Sequence, residues 1–275
     1  MSARKAAVAG SFDDVRSGHV RFLHEASRLG LVHVVLRSDA AIRALEGHDP
    51  KFPGEERRYL IEAVRYVDRV SLAAGDGEAD ILREIDEVAP DIFVADAGSA
   101  NAAEKAWCGS RGIEYRVLGE KDLGGFPAEA QGPEEGPPAG KKVIVTGCFD
   151  WFHSGHVAFF EEVSACGDLY VGIGSDENVR QMKGRGHPMF PQEERLYLVQ
   201  SVRHVRKAFV STGRGWLDAE PEIAIIKPDI YAVNEDGDVP EKREFCASRG
   251  IEYRVFKRVP RRGLPRREST RLRGF

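Results

Sequence analysis

"TGCFDWFHSGHVAFF", residues 146–160, decides how the rest of this chain is read. It begins where the apolar run "KKVIV" (residues 141–145) ends, turns at Gly147 and Asp150, and sets His153 and His156 around Gly155. An apolar strand, a glycine turn and an amphipathic helix in that order open a βαβ unit. The string has an earlier echo, "AGSFDDVRSGHVRFL" at residues 9–23, with Arg16 in the place of His153.

Working outward, the echo covers a whole domain. "FPGEERRYL" from Phe52 returns as "FPQEERLYL" from Phe190, "PDIFVAD" at Pro90 as "PDIYAVN" at Pro228, and "SRGIEYRV" at Ser110 again at Ser248. The register between copies slips by one residue, inside a Gly/His/Pro loop. The predicted organisation is a first domain at 1–123, a Gly/Pro/Glu-rich linker at 124–142, and a second domain at 143–275. In each copy, Val/Ile-rich runs alternate with amphipathic segments, which predicts a Rossmann-like α/β domain with a parallel sheet covered on both faces. Ligands of such sheets sit beyond the strand C-termini, where the strand order reverses. Both "GxFD" turns fall at such a strand end.

Bulk composition narrows the classes. A hydrophobic share of 42% supports buried cores, and a net charge of −4 argues against a dedicated nucleic-acid binder. No apolar stretch approaches the roughly 20 residues of a membrane span. Cys108, Cys148, Cys166 and Cys246 show no metal-ligand spacing, so free thiols in a cytoplasmic protein are expected.

The chemistry concentrates in the second copy. Gly147 lets the backbone approach a ligand, Gly155 leaves room for a phosphate, and amides before a helix can point at an anion. His153 and His156 share one face of a first helical turn and suit a phosphoryl centre whose charge grows during reaction. A histidine at a helix start is commonly a cap or a solvated residue. A zinc site would need a third ligand, and no Cys or His completes one at a suitable spacing.

"GCFDWFHSGH" resembles the signature of the nucleotidylyltransferase superfamily with the H-x-G-H motif, and within it the cytidylyltransferases. "MKGRGHPMFPQEERLYLVQSV" (182–202) is similar to the family's lysine–glycine loop and "ER" helix. "KPDIYAVNEDGD" (227–238) resembles its strand with an acidic loop, and "RREST" (266–270) its arginine/Ser-Thr motif at the start of a last helix. The resemblance implies transfer of CMP from CTP to a small phosphorylated or phosphonate acceptor, releasing pyrophosphate. It places backbone amides of Cys148 and Phe149 at the α-phosphate, and His153 and His156 at the reacting phosphorus and leaving group. It gives Lys183 to the space between acceptor and triphosphate, and Asp150, Trp151 and Arg195 to the acceptor side. Ser269 and Thr270, with Arg266, then hold the outer phosphates, while Asn234 and Asp236 lie where the base is chosen. Mg²⁺ is expected to arrive mainly on the triphosphate, which needs few protein ligands. Trp151 or Phe152 could face a quaternary amine by cation–π attraction or simply pack on the helix.

Copy one keeps the scaffold pattern and loses these groups. Arg16 replaces His153, Glu46 replaces Lys183, and no Arg/Ser-Thr motif follows "IEYRVLGEKDLGGFP". It is expected to be inactive and to pair with copy two as an intramolecular pseudo-dimer, with further homo-oligomers left open. An anion held by Arg16 and His19 is the alternative. Rival functions are an adenylyltransferase using ATP on a sugar phosphate or similar acceptor, and a non-catalytic nucleotide-binding regulator.

Overall fold

The computed structural model of the protein describes residues 3–127, 137, 139–269 and 271–274. The chain divides into two compact units, Met1–Gly125 and Phe126–Phe275. The first runs β1 (Lys5–Gly10), α1 (Ser17–Ser27), β2 (Leu31–Leu36), α2 (Asp39–Glu46), α3 (Gly54–Glu62), β3 (Arg69–Leu72), α4 (Glu78–Val88), β4 (Ile92–Asp96), α5 (Ala102–Arg111), β5 (Glu114–Leu118) and α6 (Glu120–Leu123). The second runs β6 (Lys142–Gly147), α7 (Ser154–Ser164), β7 (Asp168–Ile173), α8 (Asp176–Lys183), α9 (Gln192–Gln200), β8 (Val205–Val210), α10 (Glu220–Ile226), β9 (Ile230–Asn234), α11 (Pro240–Arg249) and β10 (Glu252–Phe256).

Each unit is a parallel five-stranded sheet, ordered β3-β2-β1-β4-β5 and β8-β7-β6-β9-β10. The chain moves outward from β1 or β6 in one direction, then crosses back to build the other half. Crossovers in opposite directions, right-handed in nearly all parallel sheets, put helices on both faces. In the first unit Ile81, Ile85 and Cys108 pack on Ala7, Val35 and Phe93. The intervening residues Ala6, Val8 and Val34 are fully buried and point to the opposite face by strand alternation. In the second unit Ile223, Phe245 and Cys246 pack on Ile144, Tyr231 and Val233. Each fully buried Val or Ile of this kind contributes about 1.5–3 kcal/mol. The strand order reverses between β6 and β9, paired at Val143 with Ile230, so Gly147 and Asn234 flank the crevice.

Three local elements differ from the sequence expectation. Lys183 ends a helix, α8, where a loop was expected. Ser175 caps that helix by accepting from Asn178 N–H at 3.2 Å, and Gly184 closes it at φ 83°. The expected single helix over "WLDAEPEIAIIKP" is a short 3₁₀ turn, Gly215–Leu217, followed by α10, because Pro221 belongs in a first helical turn rather than an interior. The expected last helix after Ser269 is a four-residue 3₁₀ turn, Arg271–Gly274. No helix among the described residues is long and apolar enough to cross a membrane.

Candidate active site

The turn after β6 carries strain in a fixed place. Phe149 has φ 50° and its counterpart Phe12 has φ 47°, left-handed values that bulky residues rarely adopt. A Cβ on Gly147 would lie 2.9 Å from the Phe149 ring, so the glycine makes room for that ring as well as for any ligand. The ring in turn lies edge-on to His156, with centroids 5.3 Å apart.

His153 is the N-cap of α7, and its Nδ1 accepts the Gly155 N–H at 3.1 Å. His156 Nδ1 accepts the His153 N–H at 3.3 Å. With both Nδ1 atoms acting as acceptors, a neutral ring carries its hydrogen on Nε2. The two imidazoles stack at 4.0 Å, and Phe152 stacks on His156 at 5.3 Å. A Cβ on Gly155 would sit 3.0 Å from the His153 ring, so a side chain here would push the ring by a few tenths of an ångström. Burial, then Arg258 and Arg267, push His153 down to about 3. Burial, then His153, Arg258 and Lys183, hold His156 well below the usual histidine range. At neutral pH both rings are uncharged hydrogen-bond donors. His153 is 1% exposed, and its buried Nε2 has no hydrogen-bond partner among the described residues.

These groups line a cleft of about 470 Å³ at the C-terminal ends of β6 and β9. It brings together Gly147, Cys148 and Phe149 from the turn with Lys183 from α8. Asn234, Asp236 and Ser269 line it too. Lys183 is exposed and has no ion-pair partner among the described residues. Ser269 donates to the Trp151 carbonyl at 3.1 Å, which ties the C-terminal segment to the turn. Arg266 lines a smaller adjoining pocket with Lys257, Arg258, Arg267 and Gly155. Thr270 lies outside the described residues.

Three expected acceptor contacts are otherwise engaged. Arg195 is 1% exposed, and its guanidinium donates to the carbonyls of Phe190, Cys148 and Gly174 and to Asp176. It is a buried staple between the turn, β7 and α9, and it does not line the cleft. Arg57 makes the same bonds to Phe52, Ser11, Arg37 and Asp39 in copy one. Asp150 lines the cleft, but its carboxylate accepts the N–H groups of Met189 and Phe190 at 2.6 and 3.1 Å. It therefore ties down the segment after Lys183, as Asp13 does through Lys51 and Phe52. Trp151 is buried edge-on against Phe190, at 5.9 Å, so packing prevails over an amine-facing role.

The cleft also holds residues that motif reading missed: Arg258, Asn178, Trp216, Asp218 and Lys242. Arg258 pairs with Asp236 at 2.8 Å and donates to the Arg267 carbonyl at 2.9 Å, bridging the two segments expected to hold the nucleotide. The one available signal was the mismatch between copies, where Ala41, Glu78 and Glu104 stand for Asn178, Trp216 and Lys242.

At the matching place in copy one, Arg16 turns to Asp14 at 2.7 Å. His19 keeps its Nδ1 bond to the Arg16 N–H, at 3.1 Å. Glu46 accepts from Ser11 Oγ at 2.6 Å, a carboxylate where copy two has an ammonium.

A family model described as cytidylyltransferase-like matches residues 7–115 and 144–261. An FAD synthase from Methanopyrus kandleri is 36% identical over 122 residues, which cover 42% of this chain and 78% of that protein. The bifunctional protein HldE of Alcanivorax borkumensis is 30% identical over 201 residues, 68% of this chain but only 39% of HldE. A lipopolysaccharide core biosynthesis protein from Thermoplasma volcanium aligns over 43% of this chain and 96% of its own, at 28% identity and a TM-score of 0.38. With the model matched once in each domain, the chain belongs to the cytidylyltransferase-like family of nucleotidyltransferases.

Proposed function

We propose that residues 143–275 transfer a nucleotidyl group from a nucleoside triphosphate to a small phosphorylated or phosphonate acceptor, and that residues 1–123 do not. The observation that carries this reading is the pair of neutral imidazoles lining the cleft, fixed through Nδ1 by backbone N–H groups, with the His153 Nε2 buried and without a partner among the described residues. An oxygen of the acceptor attacks the α-phosphorus, the bond to the bridging oxygen breaks, and pyrophosphate leaves. The acceptor anion brings its own nucleophile, so catalysis reduces to positioning and to donors at the growing charge. His153 and His156 supply such donors from Nε2, and Lys183 offsets the repulsion between the two anions. In this reading Arg258, Arg266 and Ser269 hold the outer phosphates, since Arg258 and Ser269 line the cleft and Arg266 the adjoining pocket.

No cluster of three or more potential metal ligands occurs among the described residues. In this reading Mg²⁺ enters as part of the triphosphate substrate, which supplies most of its ligands together with water. The motif resemblance and the family model favour CTP. The relatives named FAD synthase form a dinucleotide with an adenylyl half, which favours ATP. Pyrophosphate release with CTP or ATP, measured over a panel of phospho-acceptors, separates the two. Nucleotide binding without release from any acceptor would instead identify a regulatory binding protein. The four free cysteines suit a reducing cytoplasm.

A further inference from the structure

The flank of the cleft away from the histidines is built around one buried cation. Lys242, on α11, is 5% exposed, and its ammonium has no hydrogen bond or ion pair among the described residues. It lies 5.6 Å from the Tyr231 ring centre and 5.8 Å from that of Trp216. Three carboxylates stand near it, and each has another partner. Asp236 pairs with Arg258, Asp238 with Arg243 at 2.7 Å, and Asp218 accepts from Asn178 at 3.0 Å. Burial holds the Lys242 ammonium below the usual lysine range and the Asp218 carboxyl above the carboxylate range. A buried cation that faces aromatic rings and no hydrogen-bonded anion among the described residues is costly, and a ligand anion would reduce that cost.

Copy one shows the same position closed off. Glu104 replaces Lys242, is also 5% exposed, and accepts from the Tyr115 hydroxyl at 3.0 Å. In copy two the matching Tyr253 hydroxyl donates to Asp238 instead, at 3.1 Å. The partner that satisfies a buried polar group in one domain is turned away in the other, and the group left over lines the cleft.

The chain also suggests which part of a substrate meets this flank. Asn178 and Val179 lie one turn before Lys183 on α8, and both line the cleft. If Lys183 holds the acceptor phosphate, whatever hangs from that phosphate runs along α8 toward Asn178, Trp216 and Lys242. The aromatic faces there are already occupied by the protein's own cation, so an ammonium head would meet repulsion in place of cation–π attraction.

Resting on the transferase reading above, we propose that Lys242 selects an acceptor whose far end carries a carboxylate, and that it disfavours amine-ended acceptors. The test pairs two acceptors of similar size and opposite charge, phosphoglycolate and phosphoethanolamine, with CTP and with ATP, read as pyrophosphate release from the full chain. Phosphoglycolate is expected to be the better substrate. Lys242→Met, close in volume, should raise the KM for phosphoglycolate about ten- to hundredfold, with kcat within about threefold and the nucleotide KM unchanged. Lys242→Arg should restore part of the loss. The wild-type comparison needs no variant to fold, and melting curves check those that are made. Phosphoethanolamine equal to or better than phosphoglycolate would overturn the proposal while leaving the transferase reading intact. So would a Lys242→Met effect confined to the nucleotide KM. No pyrophosphate from any acceptor with either nucleotide would instead overturn the reading on which it rests.

Discussion

Around Gly10 and around Gly147 the chain builds the same turn twice, down to a phenylalanine at φ 47° in one and 50° in the other. The buried arginine, the aspartate that accepts two N–H groups, and the His19 or His156 bond to the N-cap backbone are all repeated. The copies part at the side chains that these bonds leave over. Among the described residues, His153 Nε2, Lys183 and Lys242 line a cleft without a hydrogen bond or ion pair, while Arg16, Glu46 and Glu104 are each satisfied internally. A bond repeated in both copies is thus serving the fold, including the Nδ1 bond that fixes His156 and leaves its Nε2 free for other work. A group that is buried or cleft-facing and unsatisfied in one copy alone is the better candidate for chemistry.

The largest expected effects should be the same in both domains. Arg57→Ala and Arg195→Ala each remove a fully buried guanidinium that satisfies three carbonyls and a carboxylate. Each should destabilise its own domain by about 3–5 kcal/mol, chiefly by leaving those acceptors buried without donors. Denaturant unfolding followed separately for the two domains checks this. If Arg195→Ala keeps full stability and loses only acceptor affinity, the staple assignment is wrong.

The histidines should split the copies. His156→Ala and His153→Ala should each lower turnover by roughly 10²–10³-fold, the loss typical of one transition-state donor. His19→Ala should change only the stability of its own domain. Loss of turnover from His19→Ala in folded protein would make the first domain a participant in catalysis.

Lys183 and Glu46 give a somewhat smaller contrast. Lys183→Glu gives the second domain the first domain's charge at this place, and should cost about tenfold to a hundredfold in turnover with little change in melting temperature. Lys183→Gln should be milder, and Lys183→Arg should recover part of the rate, because a planar fork replaces a compact ammonium. Near-wild-type kinetics for Lys183→Glu would return the residue to the solvated surface where its exposure alone would put it.

The repeat, the alternating apolar runs and the glycine turns were legible because they are local patterns. They led to two parallel sheets and to the strand end at which the cleft lies. What motif reading could not give was the destination of long polar side chains. Arg195 reads as an acceptor ligand until Phe190, Cys148 and Gly174 are seen to surround it. Lys242 belongs to none of the motifs, and only its burial singles it out. Both facts depend on contacts between segments far apart in the chain. The copies did contain a usable hint, since Arg57 repeats Arg195 whereas Glu104 reverses Lys242.

The smallest expected effect isolates a single Cβ. Gly155 and Gly18 occupy the same place in the first turn of α7 and α1. A Cβ at Gly155 would meet the His153 ring at 3.0 Å, whereas at Gly18 it would meet nothing within 4 Å. Gly18→Ala should be neutral or stabilise the first domain by up to about 0.5–1 kcal/mol, because alanine loses less backbone freedom in a helix. Gly155→Ala should gain part of the same benefit yet push the His153 ring by a few tenths of an ångström and lengthen its bond to the residue-155 N–H. A reacting donor displaced that far should cost roughly tenfold in kcat, less than removal of the ring. Melting curves and steady-state turnover on the two alanine variants are enough to check it. Full activity in Gly155→Ala would mean that the His153 ring need not sit where its Nδ1 bond holds it, and the account of that histidine as a fixed donor would fail.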